Sequence, residues 1–466
     1  MNREYYWEYL QDCDQLVDSF LKKAKKVKRD VFMIEGINLE NPVKNFLWES
    51  IFFGSSRNTY SEMRSKELDY VSFIQSIWKQ KIQPLLPNSN KHESFVIKKS
   101  SEQLAPLLEP FRNTIVFYCI NNRQLNYYRP ILEKIDEPIV ILTRENIGDD
   151  SFMKPNIQFI EYDLIFQDFF IKNKYFEENF SYIFFLSNSL LPVIHDLSPR
   201  CVVIFEGCHF ETEIVSSICK FENIPTICIQ QGWPSLMHTR FQNMSYDYFL
   251  TWGKAFNKLW GRYNPAPTFK EVGCLYSIRP PSNKTGIAFF FQAPLFIIDE
   301  FILDVMMKFF IHCAERYKDR KIYLREHPEY KLSPNKISDL KQYPNIGIVS
   351  DWEISMVFSQ SEIGVSVFSS TLMEGIVHDT IPFVFNLTSY PNYYPDLEKD
   401  GIGLEAKSIN EAILKIEKLI ENKKYRETVK RNILAKKTFY FKAYNSECIN
   451  NIYLFLKERG LSTSNK

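Results

Sequence analysis

Several short stretches hold residue types that could do chemistry in a cleft. REHPEY, at 325–330, follows an apolar run, so His327 stands at the mouth of a turn that Pro328 stiffens. An imidazole there can donate a hydrogen bond to a phosphate oxygen or to a departing group. A histidine fixed in a loop by local polar bonds would read the same way. Arg325, from the same segment, joins it as a donor-binding candidate. In FSSTLMEG, at 368–375, Ser369, Ser370 and Thr371 fall where a strand turns into a helix. The unpaired N–H groups and positive dipole end of a helix start attract anions, and the hydroxyls add donors. Ser and Thr are also ordinary helix caps. Glu374, in the first turns of that helix, can accept from ribose hydroxyls, and Gln292 closes the run FFFQ.

A second group lies earlier in the chain. FEGCHFE, at 205–211, places Glu206 beside Gly207, which permits a tight turn. A carboxylate there can deprotonate an acceptor hydroxyl, with His209 as the rival base. Capping the following helix is the plainer role for Glu206. IQQGWPSLMHTR, at 229–240, offers Gln231, Gly232, Trp233, His238 and Arg240, a polar, aromatic and cationic set suited to sugar or phosphate.

Most of these stretches come directly after an apolar run of strand length. Runs at 114–120, 138–144, 157–163, 182–188, 201–207, 225–232 and 247–253 predict seven strands, alternating with helix-like segments. A second series follows at 286–292, 321–328, 345–351, 362–370 and 381–386. Continuous apolar strands between helices predict parallel sheets covered on both faces. Ligands meet such sheets at the carboxyl ends of the strands. The expected fold is therefore α/β, with two Rossmann-like domains facing across a cleft.

The expected domains are a mainly helical extension over 1–112, Rossmann-like domains over 113–276 and 286–440, and a helix over 441–466 packing back on the first. SIRPPSNKT, at 277–285, reads as the linker. VFMIEG, at 31–36, reads as an isolated strand. The chain has 57 Lys and Arg against 56 Asp and Glu, a formal net charge of +1, so nothing calls for nucleic acid. The nine cysteines include no CxxC pair and read as buried thiols of a reducing compartment. The N-terminus is polar, and no apolar run approaches the ~18 residues of a membrane span. A cytoplasmic protein is expected, at most peripheral at the inner face of the cytoplasmic membrane. Asp149-Asp150 and Asp299-Glu300 are not obviously placed after strands as a DxD-like metal element would be, so no metal is expected.

The order strand, His327-Pro328, Ser369-Ser370-Thr371, helix, Glu374 resembles bacterial GT-B transferases of capsule and lipopolysaccharide assembly, polysialyltransferase-like and Kdo-transferase-like enzymes among them. CDP-glycerol polymerases of teichoic acid synthesis share a similar pattern. NIPTICIQQGW is similar to a segment of the wider group that ends in QHG. The likeness spans roughly 113–440 and departs at two places: Phe205 stands for the first acid of a pair, and Gln231 for the histidine of QHG. The resemblance implies transfer of a sugar from a nucleotide-activated donor, possible CMP linkage included, to a glycan or lipid-linked glycan, without metal or resident cofactor. Glu206 would be the base, and His327 with 369–371 would hold the donor phosphate. Glycerol phosphate transfer from CDP-glycerol, nucleotide-sugar 2-epimerisation and a non-catalytic scaffold in a glycan-assembly complex remain open alternatives.

Overall fold

A computed structural model describes residues 4–53, 70–87, 94–97, 106, 108–144, 154–162, 170–205, 208–234, 237–280, 284–293, 298, 300–328, 330–388 and 393–461. Two parallel sheets dominate it. The first contains β1 (Ile115–Cys119), β2 (Ile139–Thr143), β3 (Ile157–Glu161), β4 (Cys201–Phe205), β5 (Thr226–Ile229), β6 (Tyr248–Thr251) and β7 (Thr268–Glu271), in the order β7-β6-β5-β4-β1-β2-β3. Every residue of β1, β2 and β4 is buried, which is why these strands are apolar without alternation. The second contains β8 (Gly286–Phe290), β9 (Ile322–Arg325), β10 (Ile346–Ile348), β11 (Ser361–Ser366), β12 (Ile381–Phe385) and β13 (Leu404–Ala406), in the order β10-β9-β8-β11-β12-β13.

Both sheets start at a central strand, grow to one edge and then return to build the other. The order reverses between β1 and β4 in the first, and between β8 and β11 in the second. Connections leave those neighbours in opposite directions, which opens a crevice at the carboxyl ends.

The helices that matter below are α1 (Glu4–Val27), α2 (Glu40–Phe52), α3 (Asn122–Leu132), α4 (Ser181–Leu197), α5 (Phe210–Phe221), α6 (Ser370–Val377), α7 (Lys423–Tyr440) and α8 (Asn445–Leu456). α4 corrects the strand expected at 182–188. Ile183, Leu186 and Leu190 face the core, but Phe184 packs against it only in part and Phe185 is exposed. A helix apolar on several faces shows no 3.6-residue period over seven residues. The segment at 31–36 is likewise one arm of a hairpin, Met33–Ile34 paired with Ile37–Asn38. Its two-residue turn needs positive φ at both positions, supplied by Glu35 (50°) and Gly36 (92°).

The extension is packed against the first lobe. Phe20 of α1 meets Phe180, Phe46 of α2 meets Phe210, and Trp48 stacks on His238 at 4.1 Å. It also reaches the second lobe, where Trp7 Nε1 donates to the Thr388 carbonyl at 2.9 Å. The chain crosses back at its other end. Cys448, Ile452, Phe455 and Leu456 of α8 share one core cluster with Ile115, Phe117 and Tyr128 of the first lobe. The crossing is tight: a Cβ on Gly273 (φ +106°) would lie 2.3 Å from the Ala443 carbonyl oxygen, and one on Gly253 would lie 2.4 Å from that of Tyr440. Only glycine fits at either place. No helix among the described residues is long and apolar enough to cross a membrane. All nine cysteines are free thiols, eight of them buried.

Candidate active site

A cavity of about 510 Å³ opens between the lobes at the carboxyl ends of both sheets. The second lobe contributes Gln292 after β8, Arg325 and His327 after β9, and Ser369, Ser370, Thr371 and Glu374 after β11. From the first lobe come Gln231 and Gly232 after β5. These sequence-derived candidates, up to 143 positions apart, are therefore brought to one site.

Arg325 is held rather than free. Its Nη1 donates to the carbonyls of Ser350 (2.7 Å) and Trp352 (2.8 Å), in the loop that follows β10. Burial lowers its pKa, while Glu374 and Asp351 oppose that shift. Glu326 ties the next stretch down: its Oε1 accepts from the Leu332 N–H at 2.6 Å and its Oε2 from Ser350 Oγ at 2.8 Å. Between these anchors His327 pairs with Tyr330 in a one-residue bridge, so the imidazole sits on a braced turn.

The three hydroxyls of 369–371 do different things. Ser369 caps α6, its Oγ accepting from the Thr371 N–H at 3.2 Å. Ser370 Oγ accepts from the Trp233 N–H at 2.8 Å, which ties the two lobes together. Among the described residues Thr371 Oγ1 has no protein hydrogen bond, and this hydroxyl borders the cavity at the helix start. Gln292 donates from Nε2 to the Phe368 carbonyl at 3.0 Å, while its Oε1 is buried without a partner. A buried acceptor without a donor costs free energy unless a ligand supplies one. Glu374 is only 9 % exposed. Burial pushes its carboxyl up to about 8 despite the Arg325 charge, so it is mostly protonated at neutral pH and can donate as well as accept.

The remaining candidates lie elsewhere. Trp233 is buried between the lobes, its Nε1 donating to the Tyr394 carbonyl at 2.9 Å. Arg240 does not line the cavity. It is buried, 2.5 Å from Glu49 of α2, with its Nε donating to the Cys208 carbonyl at 2.9 Å. His209 stands 3.8 Å from the same Glu49 carboxylate, and burial together with the Arg240 charge pushes its imidazole down to about 4. The extension thus takes up both residues. Glu206 and Gly207, like Asp149, Asp150 and Asp299, lie outside the described residues.

Sequence reasoning passed over Arg123 and Tyr127, on α3 directly after β1, and Tyr276, just before the linker, all of which line the cavity. α3 begins beside the strand where the sheet order reverses, which is the signal that could have found it. Arg123 is exposed, and no carboxylate among the described residues is within ion-pair distance of it.

Neither a family model nor a curated protein matches this sequence. Solved structures do. A candidate UDP-N-acetylglucosamine 2-epimerase from Listeria monocytogenes superimposes with a TM-score of 0.50 at 12% identity, over 76% of this chain and 98% of that one. This is the GT-B fold. An S. aureus MnaA–UDP complex aligns at 0.49 and 10% identity, over 76% of this chain and 99% of its own. The wall teichoic acid polymerase TagF, soaked with CDPG, aligns at 0.46 and 13% identity, over 78% and 93%.

Proposed function

We propose that the chain is a glycosyltransferase that moves a sugar from a nucleotide-activated donor to a glycan or lipid-linked glycan of the bacterial surface, working in the cytoplasm or at the inner membrane face. The observation that carries this reading is a cavity between two switch points, lined on one side by the start of α6 with the Thr371 hydroxyl and on the other by Arg123, which has no ion-pair partner among the described residues. The donor belongs to the second lobe. Its phosphate meets the start of α6, with the Thr371 hydroxyl and His327 as donors, and charge on the departing nucleotide is stabilised there. Glu374 and Gln292 Oε1 take hydroxyl or amine groups of the nucleoside. Arg123 and Gln231 face the incoming acceptor, and Glu206 removes its proton. Closure of the lobes excludes water and protects the donor from hydrolysis.

The test is a binding screen of CMP-, UDP-, GDP- and CDP-linked donors, followed by product analysis with and without an acceptor glycan. Transfer that requires an acceptor is the expected outcome. A second reading, a nucleotide-sugar 2-epimerase, draws support from the likeness at a TM-score of 0.50 to the candidate Listeria epimerase. Epimerisation needs no acceptor, so a donor converted in its absence would decide for it. Glycerol phosphate transfer would appear as a preference for CDP-glycerol in the same screen. Affinity for none of the donors would leave a scaffold.

A further inference from the structure

A second cavity, of about 670 Å³, lies where the extension meets the first lobe and shares no lining residue with the cleft. We infer that it is a binding site for a phosphate-bearing sugar or polyol. Its walls come from α1, the hairpin and α2 on one side, and from α5 and the 239–245 loop on the other.

Charge is the first argument. Lys22, Lys25, Lys44 and Lys220 line the cavity against two carboxylates, Asp18 and Glu40. Lys25 is already paired with Glu40 at 2.6 Å. Lys22 and Lys220 have no ion-pair partner among the described residues. Lys44 is the decisive residue. It is only 5 % exposed, yet among the described residues its Nζ bonds only neutral oxygens, Asn41 Oδ1 at 3.1 Å and the Gln242 carbonyl at 2.5 Å. A buried ammonium usually carries an anionic partner, because neutral acceptors compensate lost hydration poorly. The nearby Glu213 carboxylate is fully buried and, among the described residues, is not within 4 Å of Lys44; its Oε2 accepts from Ser245 Oγ at 2.6 Å. Lys44 and Glu213 offset one another at a distance, but neither completes the other's coordination.

The remaining lining selects the rest of the ligand. Asn38, Asn243 and Ser217 offer amide and hydroxyl groups of the kind that read vicinal hydroxyls. Phe221 and Met33 are both exposed at the lip, and the Phe221 ring lies against Gly36, where a Cβ would come within 3.0 Å of it. Such an apolar edge fits the C–H face of a sugar or glycerol unit. A bare phosphate would use the lysines and leave these groups idle.

The full chain tests this by titration with glycerol 3-phosphate, using glycerol and inorganic phosphate as controls, alongside nucleotide binding in the same preparation. Glycerol 3-phosphate should saturate the protein, bind more tightly than either control, and weaken at least about tenfold in Lys22→Glu/Lys220→Glu, a change in two exposed residues. Nucleotide binding at the cleft should be unaffected, which separates this site from the reading above and reports that the variant is folded. Vesicles of phosphatidylglycerol and of phosphatidylcholine distinguish the sources. Charge-reversal-sensitive binding to the former alone assigns a lipid headgroup, and its absence assigns a soluble ligand. No saturation at roughly 10 mM glycerol 3-phosphate, equal affinity for inorganic phosphate, or indifference to the charge reversal would overturn the inference.

Discussion

The two walls of the cleft are built on different principles. On the second lobe nearly every polar group serves the architecture before any ligand arrives: Arg325 is spent on two loop carbonyls, Glu326 on Leu332 and Ser350, Ser369 on its own helix cap. What remains for a ligand is small and specific, the Thr371 hydroxyl, Gln292 Oε1 and the neutral carboxyl of Glu374. On the first lobe the lining side chain of Arg123 is exposed and, among the described residues, has no ion-pair partner. A wall fixed in advance suits a small ligand bound in one pose. A wall with a loose cation suits a larger, variable, charged one.

That contrast can be broken most severely at the proposed base. Glu206→Gln should lower transfer by about 100-fold or more while donor affinity, measured by calorimetry, is retained. Normal turnover would remove Glu206 from the mechanism. On the rigid wall, Arg325→Ala should cost about 2–3 kcal/mol of stability in denaturant titrations, because it strips the donor from loop carbonyls. A change below about 0.5 kcal/mol would mean that the wall is not pre-built. Glu374 adds a pH signature. Its folded pKa is raised above the ordinary value near 4.5 to about 8, so the native state holds a proton that the unfolded chain releases. Stability from this group is therefore lost as pH rises from 4.5 to 8. Glu374→Gln should flatten that slope and gain up to a few kcal/mol relative to the parent at pH 9, by roughly 1.4 kcal/mol per pH unit of the window. Thr371→Val should weaken donor binding about tenfold with little change in melting temperature. Arg123→Ala should have the smallest effect, a few-fold rise in acceptor KM, and high salt should erase the difference by raising the parent's KM to the variant's.

Legibility followed burial. Strands covered on both faces, such as IVFYC and CVVIF, announce themselves because every position must be apolar. Two edge strands did not: β7 alternates exposed and half-buried residues, and β13 has only three residues, although β10, equally short and at an edge, was readable from its isoleucines. α4 misled because it is apolar on several faces. Within the site, residues that end strands were readable from position alone, since parallel sheets present ligands there. Arg123 and Tyr127 were not, because NNRQLNYY looks like any solvated helix until the sheet order places it at a switch point. Arg240 looked like a cleft cation because its counter-charge, Glu49, lies nearly two hundred positions earlier, in a part of the chain with no recognisable motif.

The return of α8 into the first lobe has a consequence for biosynthesis. While the chain emerges from the ribosome, the first sheet is finished at β7, yet a stretch of its core stays uncovered until residues 445–456 appear. The whole second sheet must be made in the interval. A nascent molecule therefore carries an apolar seam through more than a third of its synthesis, from residue 271 to residue 445 of 466, and ribosome stalling anywhere inside the second lobe leaves that seam open to chaperones or to aggregation.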